Sequence, residues 1–178
     1  SAETIASLVN AVKEQTGVSA VAETKAKLHT LSDAGTISFT LNGVASGNIT
    51  ITATTDLSAI TTAINAISAT TGISAETSID KSSVTLTSDT GKNIVFTAFE
   101  NDNSGADTIT LAALNRAGTE VNSQTITNTD GGASAKMAAR GYVVMNSDKA
   151  FSYAMTQASG TDFSSASSSY RGISDLDI

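Results

Sequence analysis

The sequence contains no cysteine, no proline and no tryptophan, and aromatic residues make up only 4% of its 178 positions. Without cysteine, the chain has no disulfides, no thiolate chemistry and no cysteine-ligated metal. Without proline, changes of chain direction depend on the 13 glycines together with asparagine and aspartate. A core with so few rings consists of small and branched aliphatic residues, which favours sheets and thin layers.

Positive charge is also scarce, with 10 lysines and arginines against 17 acidic residues and a net charge of −7. Nucleic-acid binding needs clustered basic residues, and here they are scattered, so we predict no nucleic-acid partner. The same deficit disfavours anionic membranes. No apolar run approaches the roughly 18 residues of a membrane helix, and no signal peptide is recognisable. Because the chain begins at Ser1 without methionine, we expect an excised or processed piece.

The sequence does contain a repeat, whose two copies lie 55 residues apart, the difference between Asn65 and Asn10. Copy one, residues 5–20, reads IASLVNAV and then TGVSA. Copy two, residues 60–75, reads ITTAINAI and then TGISA. A repeated unit is typical of modular architectures that present a surface and is rarely how a catalytic site is built.

Each copy has the pattern of an amphipathic helix followed by a strand. Apolar residues at i, i+3, i+4 and i+7 predict helices over 1–15 and 56–70, with Asp56 as an N-cap and Gly17 and Gly72 as terminators. Extended runs over 18–24 and 73–79 follow. Asn10 and Asn65 end the apolar stripes, where helix-to-strand hydrogen bonding explains them better than catalysis does.

Alternation at period two predicts hairpins on both sides of the second helix. One pairs 36–41 with 48–53, and the other pairs 84–87 with 92–98. Copy two is therefore strand, strand, helix, strand, strand. Copy one lacks its opening hairpin, which we expect upstream of Ser1 in a longer protein.

Beyond Phe99 the predicted helices stop. We expect strands over 108–111, 142–145 and 151–155, a polar loop over 100–107, and a turn over 128–132. Residues 133–139 favour a helical turn or an irregular crossover, and 159–169 a surface loop. The predicted fold is α+β, mostly antiparallel sheet with two short amphipathic helices packed on small sheets in ββαββ-like units. We expect two subdomains, 1–98 with the repeated motif and 99–178 mostly strand.

Few residues offer chemistry. His29 is the only histidine and has no second histidine or cysteine to work with, so an exposed strand residue is favoured. Residues 101–107 resemble a calcium loop poorly, because Leu111 stands where a bidentate glutamate is needed, and an ordinary polar turn is favoured. Thr129-Asp130-Gly131-Gly132 likewise indicates an ordinary turn, which is favoured over a phosphate-binding loop. We predict no catalytic, cofactor-binding or metal-binding residues, and no cofactor.

The hairpin, the helix and the Thr-Gly-[Val/Ile]-Ser-Ala motif together resemble the variable central region of bacterial flagellins and some hook-associated proteins. The resemblance covers about the first hundred residues as two hook IN-like motifs. It is carried by Phe39-Thr40-Leu41-Asn42-Gly43, Ile49-Thr50-Ile51, Ala63-Ile64-Asn65-Ala66-Ile67, Thr71-Gly72-Ile73-Ser74-Ala75, Val84-Thr85-Leu86-Thr87-Ser88 and Val9-Asn10-Ala11-Val12. Residues 147–152 are similar to strands of the same regions, and 173–178 to the return toward a filament core. The long terminal helices by which flagellins polymerise are absent.

The resemblance implies a non-enzymatic, extracellular structural domain on the outside of a flagellar filament. It further implies neighbouring flagellin subunits as partners through core domains absent here, antibodies or host surfaces as further partners, and an isolated fragment that is monomeric. A hook-associated, cap or adhesin-type module that binds a host glycan or surface protein is the alternative. A carbohydrate-active enzyme is the third hypothesis, and it requires two convergent carboxylates, one with a raised pKa.

Overall fold

A computed structural model describes residues 1–103, 105–129, 136–153 and 166–167. The helices are α1 Ala2–Ala11, α2 Lys13–Thr16, α3 Ser58–Ala66 and α4 Ser68–Thr71. The first seven strands are β1 Ser19–His29, β2 Gly35–Leu41, β3 Val44–Ala45, β4 Ile49–Ile51, β5 Ser74–Thr77, β6 Ser83–Ser88 and β7 Ile94–Asn101. The others are β8 Ala106–Leu114, β9 Glu120–Thr129, β10 Met137–Ala139, β11 Tyr142–Asn146, β12 Ser152–Tyr153 and β13 Ala166–Ser167.

Two antiparallel sheets contain eleven of the thirteen strands in the described chain. The first has the strand order β5-β6-β1-β8-β9, with β11 also paired to β1. The second has the order β10-β7-β2-β3, with β4 also paired to β2, and β12 and β13 form a separate short pair. This architecture confirms the predicted α+β class with antiparallel strands in the majority and a few short helices.

Strand β1 changes partners along its length. Its first part, 19–23, pairs with β11, and its second part pairs with β6 on one side and β8 on the other. Alternate inward positions are occupied by small residues, including Ala20, Ala22 and Ala26, which lets other segments approach closely. One such approach is at Gly141, where an added Cβ would overlap Thr24 and the carbonyl of Glu23.

The main hydrophobic core contains residues of both large sheets and of α3. Its largest side chains are three fully or almost fully buried phenylalanines. The ring of Phe96 stacks on Phe39 with centroids 4.6 Å apart, and Phe99 lies 6.3 Å from Phe96 in a tilted arrangement. Three of the five phenylalanines in the chain thus pack against one another inside the main core.

A second, smaller apolar cluster lies under α1. It is made of Ala2, Ala6, Ala20 and Ala22, with Val9, Val143 and Met145 packed against it. Alanines bury little area per residue, so this cluster stabilises α1 less than the main core stabilises α3.

The predicted helices are interrupted near their ends. The stripe over 1–15 forms α1 and α2 with a break at Val12, and the stripe over 56–70 forms α3 and α4 with a break at Ile67. Both units end on a left-handed glycine, at φ 69° for Gly17 and 70° for Gly72, as predicted. The predicted N-cap was wrong by one residue, because the N-cap position of α3 is Leu57.

The predicted hairpin of 84–87 with 92–98 was wrong. Strand β6 pairs with β1 and β5, whereas β7 pairs with β2 and β10, so the two strands lie in different sheets.

Other predictions after residue 90 also needed correction. Residues 137–139, expected as a helical turn or crossover, form strand β10 on β7. The polar loop predicted from residue 100 is shorter, since β7 runs to Asn101 and β8 begins at Ala106. Strand β9 was not predicted, and residues 128–129 of the expected turn are its last two. In the loop predicted over 159–169, residues 166–167 form a strand that pairs with β12, and the other residues lie outside the described part of the chain. Residues 154–155 of the strand predicted over 151–155 and the tail 173–178 also lie outside it.

The predicted boundary between residues 98 and 99 falls inside β7. Strand β1 pairs both with β6, which precedes this boundary, and with β8, which follows it. The main core also contains residues from both parts. The division into 1–98 and 99–178 stays a prediction about how the sequence is organised. In the described part of the chain, the helices are too short to cross a membrane.

Candidate functional site

The repeated asparagines join each helix to the strand that follows it. In copy one, the Asn10 amide donates from Nδ2 to the Ala20 carbonyl at 2.8 Å and accepts at Oδ1 from the Ala20 N–H at 2.8 Å. In copy two, Asn65 makes the same pair of bonds to Ala75, at 2.9 Å and 2.8 Å. The interpretation of both asparagines as helix-to-strand joints is confirmed.

The amide of each asparagine takes the place that a peptide group of a neighbouring strand would occupy beside one alanine. Ala75 is aligned with Leu86 of β6, and Ala20 with Met145 of β11, so the backbone groups bound by the asparagines lie on the opposite edge of each strand. A primary amide carries both N–H donors and a carbonyl acceptor, so it can bond to the N–H and the carbonyl of one residue as a neighbouring strand would. The joint therefore satisfies a strand edge that would otherwise be open to pairing with another chain.

A threonine and a glycine complete each joint. Thr71 Oγ1 donates to the Ile67 carbonyl at 3.1 Å and accepts from the Ile73 N–H at 3.2 Å. Thr16 makes the equivalent bonds in copy one, at 2.9 Å to Val12 and 3.2 Å from Val18. The sequence pattern identified the Thr-Gly pair as recurring, but not the bridging role of the hydroxyl between helix end and strand start.

The two units differ at the start of the helix. In copy one, Ser1 Oγ accepts from the Thr4 N–H at 3.3 Å. In copy two, the equivalent position is Asp56, whose Oδ1 accepts from the Ser58 N–H at 3.1 Å and whose Oδ2 lies 3.1 Å from Lys81 Nζ. The hydrogen bond from the Ser58 hydroxyl, followed by the Ser58 N–H and Lys81, lowers the pKa of Asp56 to about 2.

The two helices also differ in burial. Ile60 and Ile64 of α3 are fully buried, whereas Ile5 and Val9 at the equivalent positions of α1 are partly exposed. Leu8 of α1 is 67% exposed. The joints are therefore alike in hydrogen bonding but unlike in apolar cover.

An open groove of about 460 Å³ brings carboxylates together with other polar side chains. Its lining includes Glu23, Lys25, Asp89, Arg116 and Tyr142. The Tyr142 hydroxyl donates to Glu23, and Lys25 Nζ lies 2.9 Å from the same carboxylate.

The direction of the pKa shift at Glu23 does not fit acid catalysis by this carboxyl. The hydrogen bond from Tyr142 and then that from Lys25 lower the pKa of Glu23. Burial, and then the bond to Glu23, raise the pKa of Tyr142 to about 12. A glycosidase acid needs a raised carboxyl pKa, so the shift at Glu23 is in the wrong direction for that role.

His29 lies at the end of β1 and is only partly exposed. Its Nδ1 is 2.7 Å from Thr30 Oγ1, and its Nε2 is 3.8 Å from Glu120 Oε2. Lys27 Nζ is closer to Glu120, at 3.1 Å from Oε1. These contacts place the histidine in a polar row on a sheet face.

The polar residues after β7 bind the start of β2 and the residue just before it. Asp102 Oδ1 accepts from the Thr36 N–H at 2.7 Å, and Asn103 Nδ2 donates to the Ala34 carbonyl at 2.7 Å. The Thr36 N–H lowers the pKa of Asp102. Among the described residues, no three histidine, cysteine or acidic side chains are grouped to hold a metal. The 129–132 motif lies outside the described residues apart from the end of β9.

Comparison with known proteins identifies one segment. Residues 38–90 match the model of the flagellin hook IN motif. The matched segment runs from β2 through α3 and β6 and so contains the copy-two joint. No curated protein matches the chain.

Proposed function

Because the chain carries a flagellin hook IN motif and is flagellin-like over that segment, we propose that it is a surface-exposed outer domain of a flagellar filament protein. The match to residues 38–90 carries this proposal. Its coarser part, a structural protein of the bacterial flagellum that assembles with other flagellin subunits, rests on that family. The finer part is the position on the outside of the filament, where antibodies would meet it.

The character of the described surface supports this position. The two joints use side chains to close strand edges, which keeps crowded neighbouring copies from pairing through their sheets. The net charge of −7 adds repulsion between copies. A domain exposed along a polymer needs both properties in order to remain soluble.

A non-enzymatic role is part of the same proposal, because flagellin-type proteins are structural. The groove at Glu23 supports this part of the proposal, since the pKa of its carboxyl is lowered. We propose neither a catalytic residue nor a cofactor.

Immunogold labelling of intact flagella with antibodies raised against this chain tests the proposal. An outer filament domain predicts labelling along the whole filament without prior dissociation. Labelling confined to the tip or to the hook junction would instead favour a cap or hook-associated protein. Saturable binding of the isolated chain to an immobilised glycan would favour the adhesin-type alternative.

A further inference from the structure

One groove of the molecule carries only positive charge, although the whole chain has a net charge of −7. This basic groove has a volume of about 480 Å³ and lies where β10, at the end of one sheet, contacts β8 and β9 of the other. Its charged lining residues are Lys136 and Arg140, and the others are alanine, valine, asparagine and glutamine. A groove of this kind attracts a negatively charged partner.

Strand β10 holds the two cations in place. Lys136 precedes the strand and Arg140 follows it, and both are exposed on the same face as Ala138. The two other residues of β10 are buried in the main core. Gln124 Oε1 of β9 accepts from the Ala138 N–H at 3.3 Å, which ties the strand to the neighbouring sheet. The backbone positions of both cations are therefore fixed by the fold.

The two cations of the basic groove differ from other lysines of the chain in having no carboxylate partner. Lys25, Lys27 and Lys81 each have Nζ at 3.1 Å or less from a carboxylate oxygen. Among the described residues, neither Lys136 nor Arg140 forms an ion pair. Both can therefore bind the carboxylate of a partner without first breaking an internal pair.

A second groove carries only negative charge. This acidic groove has a volume of about 310 Å³ and is lined by Thr36, Asn48, Glu100, Asn101 and Asp102. The side chains of Glu100 and Asp102 are exposed. The hydrogen bond from the Thr36 N–H lowers the pKa of Asp102, so this carboxyl is ionised at neutral pH. The acidic groove is therefore opposite in sign to the basic groove.

The two grooves lie at opposite ends of β7. Ile94, the first residue of β7, pairs with Ala139 beside the basic groove, and Glu100, near its last residue, lines the acidic groove. Six steps of about 3.3 Å along the strand separate residue 94 from residue 100, a distance of about 20 Å. The grooves therefore cannot meet within one copy. When copies are arranged head to tail, the acidic groove of one can face the basic groove of the next.

We propose that the basic groove is the docking site for the acidic groove of a second copy of this chain. Two different surfaces meet in this contact, so it extends into a row of copies and does not close as a two-fold dimer. The local attraction opposes the general repulsion between acidic copies, so the contact forms at high local concentration and not in dilute solution. The inference rests on the two grooves and not on the flagellar assignment.

Sedimentation equilibrium of the chain at low ionic strength tests the contact. The chain should associate as its concentration approaches about 1 mM, and about 0.5 M salt should weaken this association by about fivefold or more, because salt screens exposed charges. Lys136→Ala with Arg140→Ala should weaken it by a similar factor. Lys13→Ala with Lys149→Ala removes the same amount of charge from exposed positions outside both grooves and should change it by less than about twofold. A parent chain that stays monomeric under these conditions would overturn the proposal, as would equal weakening by both double variants.

Mixing two charge-reversed variants identifies the occupant of the basic groove. The first variant, Lys136→Glu with Arg140→Glu, has no basic groove. The second, Asn48→Lys with Glu100→Lys, has no acidic groove but keeps the bond between Asp102 and Thr36. Neither variant should associate alone, and an equimolar mixture should associate, because the intact acidic groove of the first can bind the intact basic groove of the second.

The second variant alone gives the sharpest result. It has a smaller net negative charge than the parent chain, so a loss of its self-association cannot come from stronger general repulsion. Self-association as strong as that of the parent would show that the basic groove binds some other acidic surface, and would overturn the proposal. A mixture that stays monomeric, with both variants unfolding at the Tm of the parent chain, would overturn it as well.

Discussion

The two helix–strand units of this chain share one hydrogen-bonded joint but not one degree of burial. At positions 10 and 65, the same amide closes the same strand edge. At the equivalent positions 5 and 60, Ile5 is partly exposed, whereas Ile60 is fully buried. Local sequence therefore fixes how each helix ends on its strand, whereas the stability of each unit depends on what other elements cover it.

Truncation of the paired isoleucines should reveal the largest difference between the units. Ile60→Ala should lower the free energy of unfolding by about 2–5 kcal/mol, because it leaves a cavity in the main core. Ile5→Ala should cost less than about half of that amount, because its side chain is already partly in water. Urea unfolding of both variants measures the difference, with Leu8→Ala as an exposed control. Equal costs at 5 and 60 would contradict the unequal cover.

Removal of the asparagine joints should affect both units by similar amounts. Asn10→Ala and Asn65→Ala each delete two hydrogen bonds, and each should cost about 1–2 kcal/mol. Asn→Asp at either position tests the donor separately, because an aspartate can still accept from the alanine N–H but cannot donate to its carbonyl. Denaturation measures the costs, and sedimentation should detect association through the opened strand edge. An unchanged free energy of unfolding in both alanine variants would contradict the stabilising role of the joints.

The terminating glycines offer a smaller and matched effect. Gly17→Ala and Gly72→Ala should each cost about 1 kcal/mol, because both residues have positive φ and alanine is strained there. An added Cβ meets nothing within 4 Å at Gly72, so the cost there is one of backbone conformation alone. Gly→Asn should cost less at both sites, since asparagine tolerates this region better. Thermal unfolding of the four variants measures these costs. A lowered Tm in the variants of only one unit would contradict the equivalence of the two glycines.

The helix starts should differ in their response to acid, with the smallest effect. The folded pKa of Asp56 is about 2, below its ordinary value of 3.8, so its contribution is present above pH 3.8 and is lost as the pH falls toward 2. Asp56→Ser copies the cap of α1, which has no carboxyl to titrate. Stability measured at about pH 5 and about pH 2 should fall slightly less in the variant than in the parent chain. An identical loss in both chains would exclude Asp56 as a contributor.

Much of the first half could be predicted from local pattern. The helical stripes, the glycine terminators and the asparagine joints all recur within short segments, so propensity and spacing were sufficient. The Asp56 cap was misplaced by one residue because the N-cap position is Leu57, although the Asp56 carboxylate still accepts from the N–H of Ser58, the first residue of α3.

The predictions failed where tertiary pairing overrides the local pattern. In β7, the pairing with β2 shifts by one residue between Ser38 and Thr40, and Ala98 takes a φ of 52°. This bulge turns both Phe96 and Phe99 into the core and breaks the period-two alternation near the predicted boundary. Strand β9 was missed because most of its first half is exposed on both faces and is ordered through its pairing with β8.

Native-state hydrogen exchange tests the central comparison most directly, because it measures both units in one unmodified chain. The amides of Ala20 and Ala75 should both be protected, since each is bound by an asparagine side chain. Amides in the middle of α3 should be protected more strongly than those of α1, reflecting its deeper burial. Equal protection of α1 and α3, or free exchange at either alanine, would contradict the account of one shared joint under unequal cover.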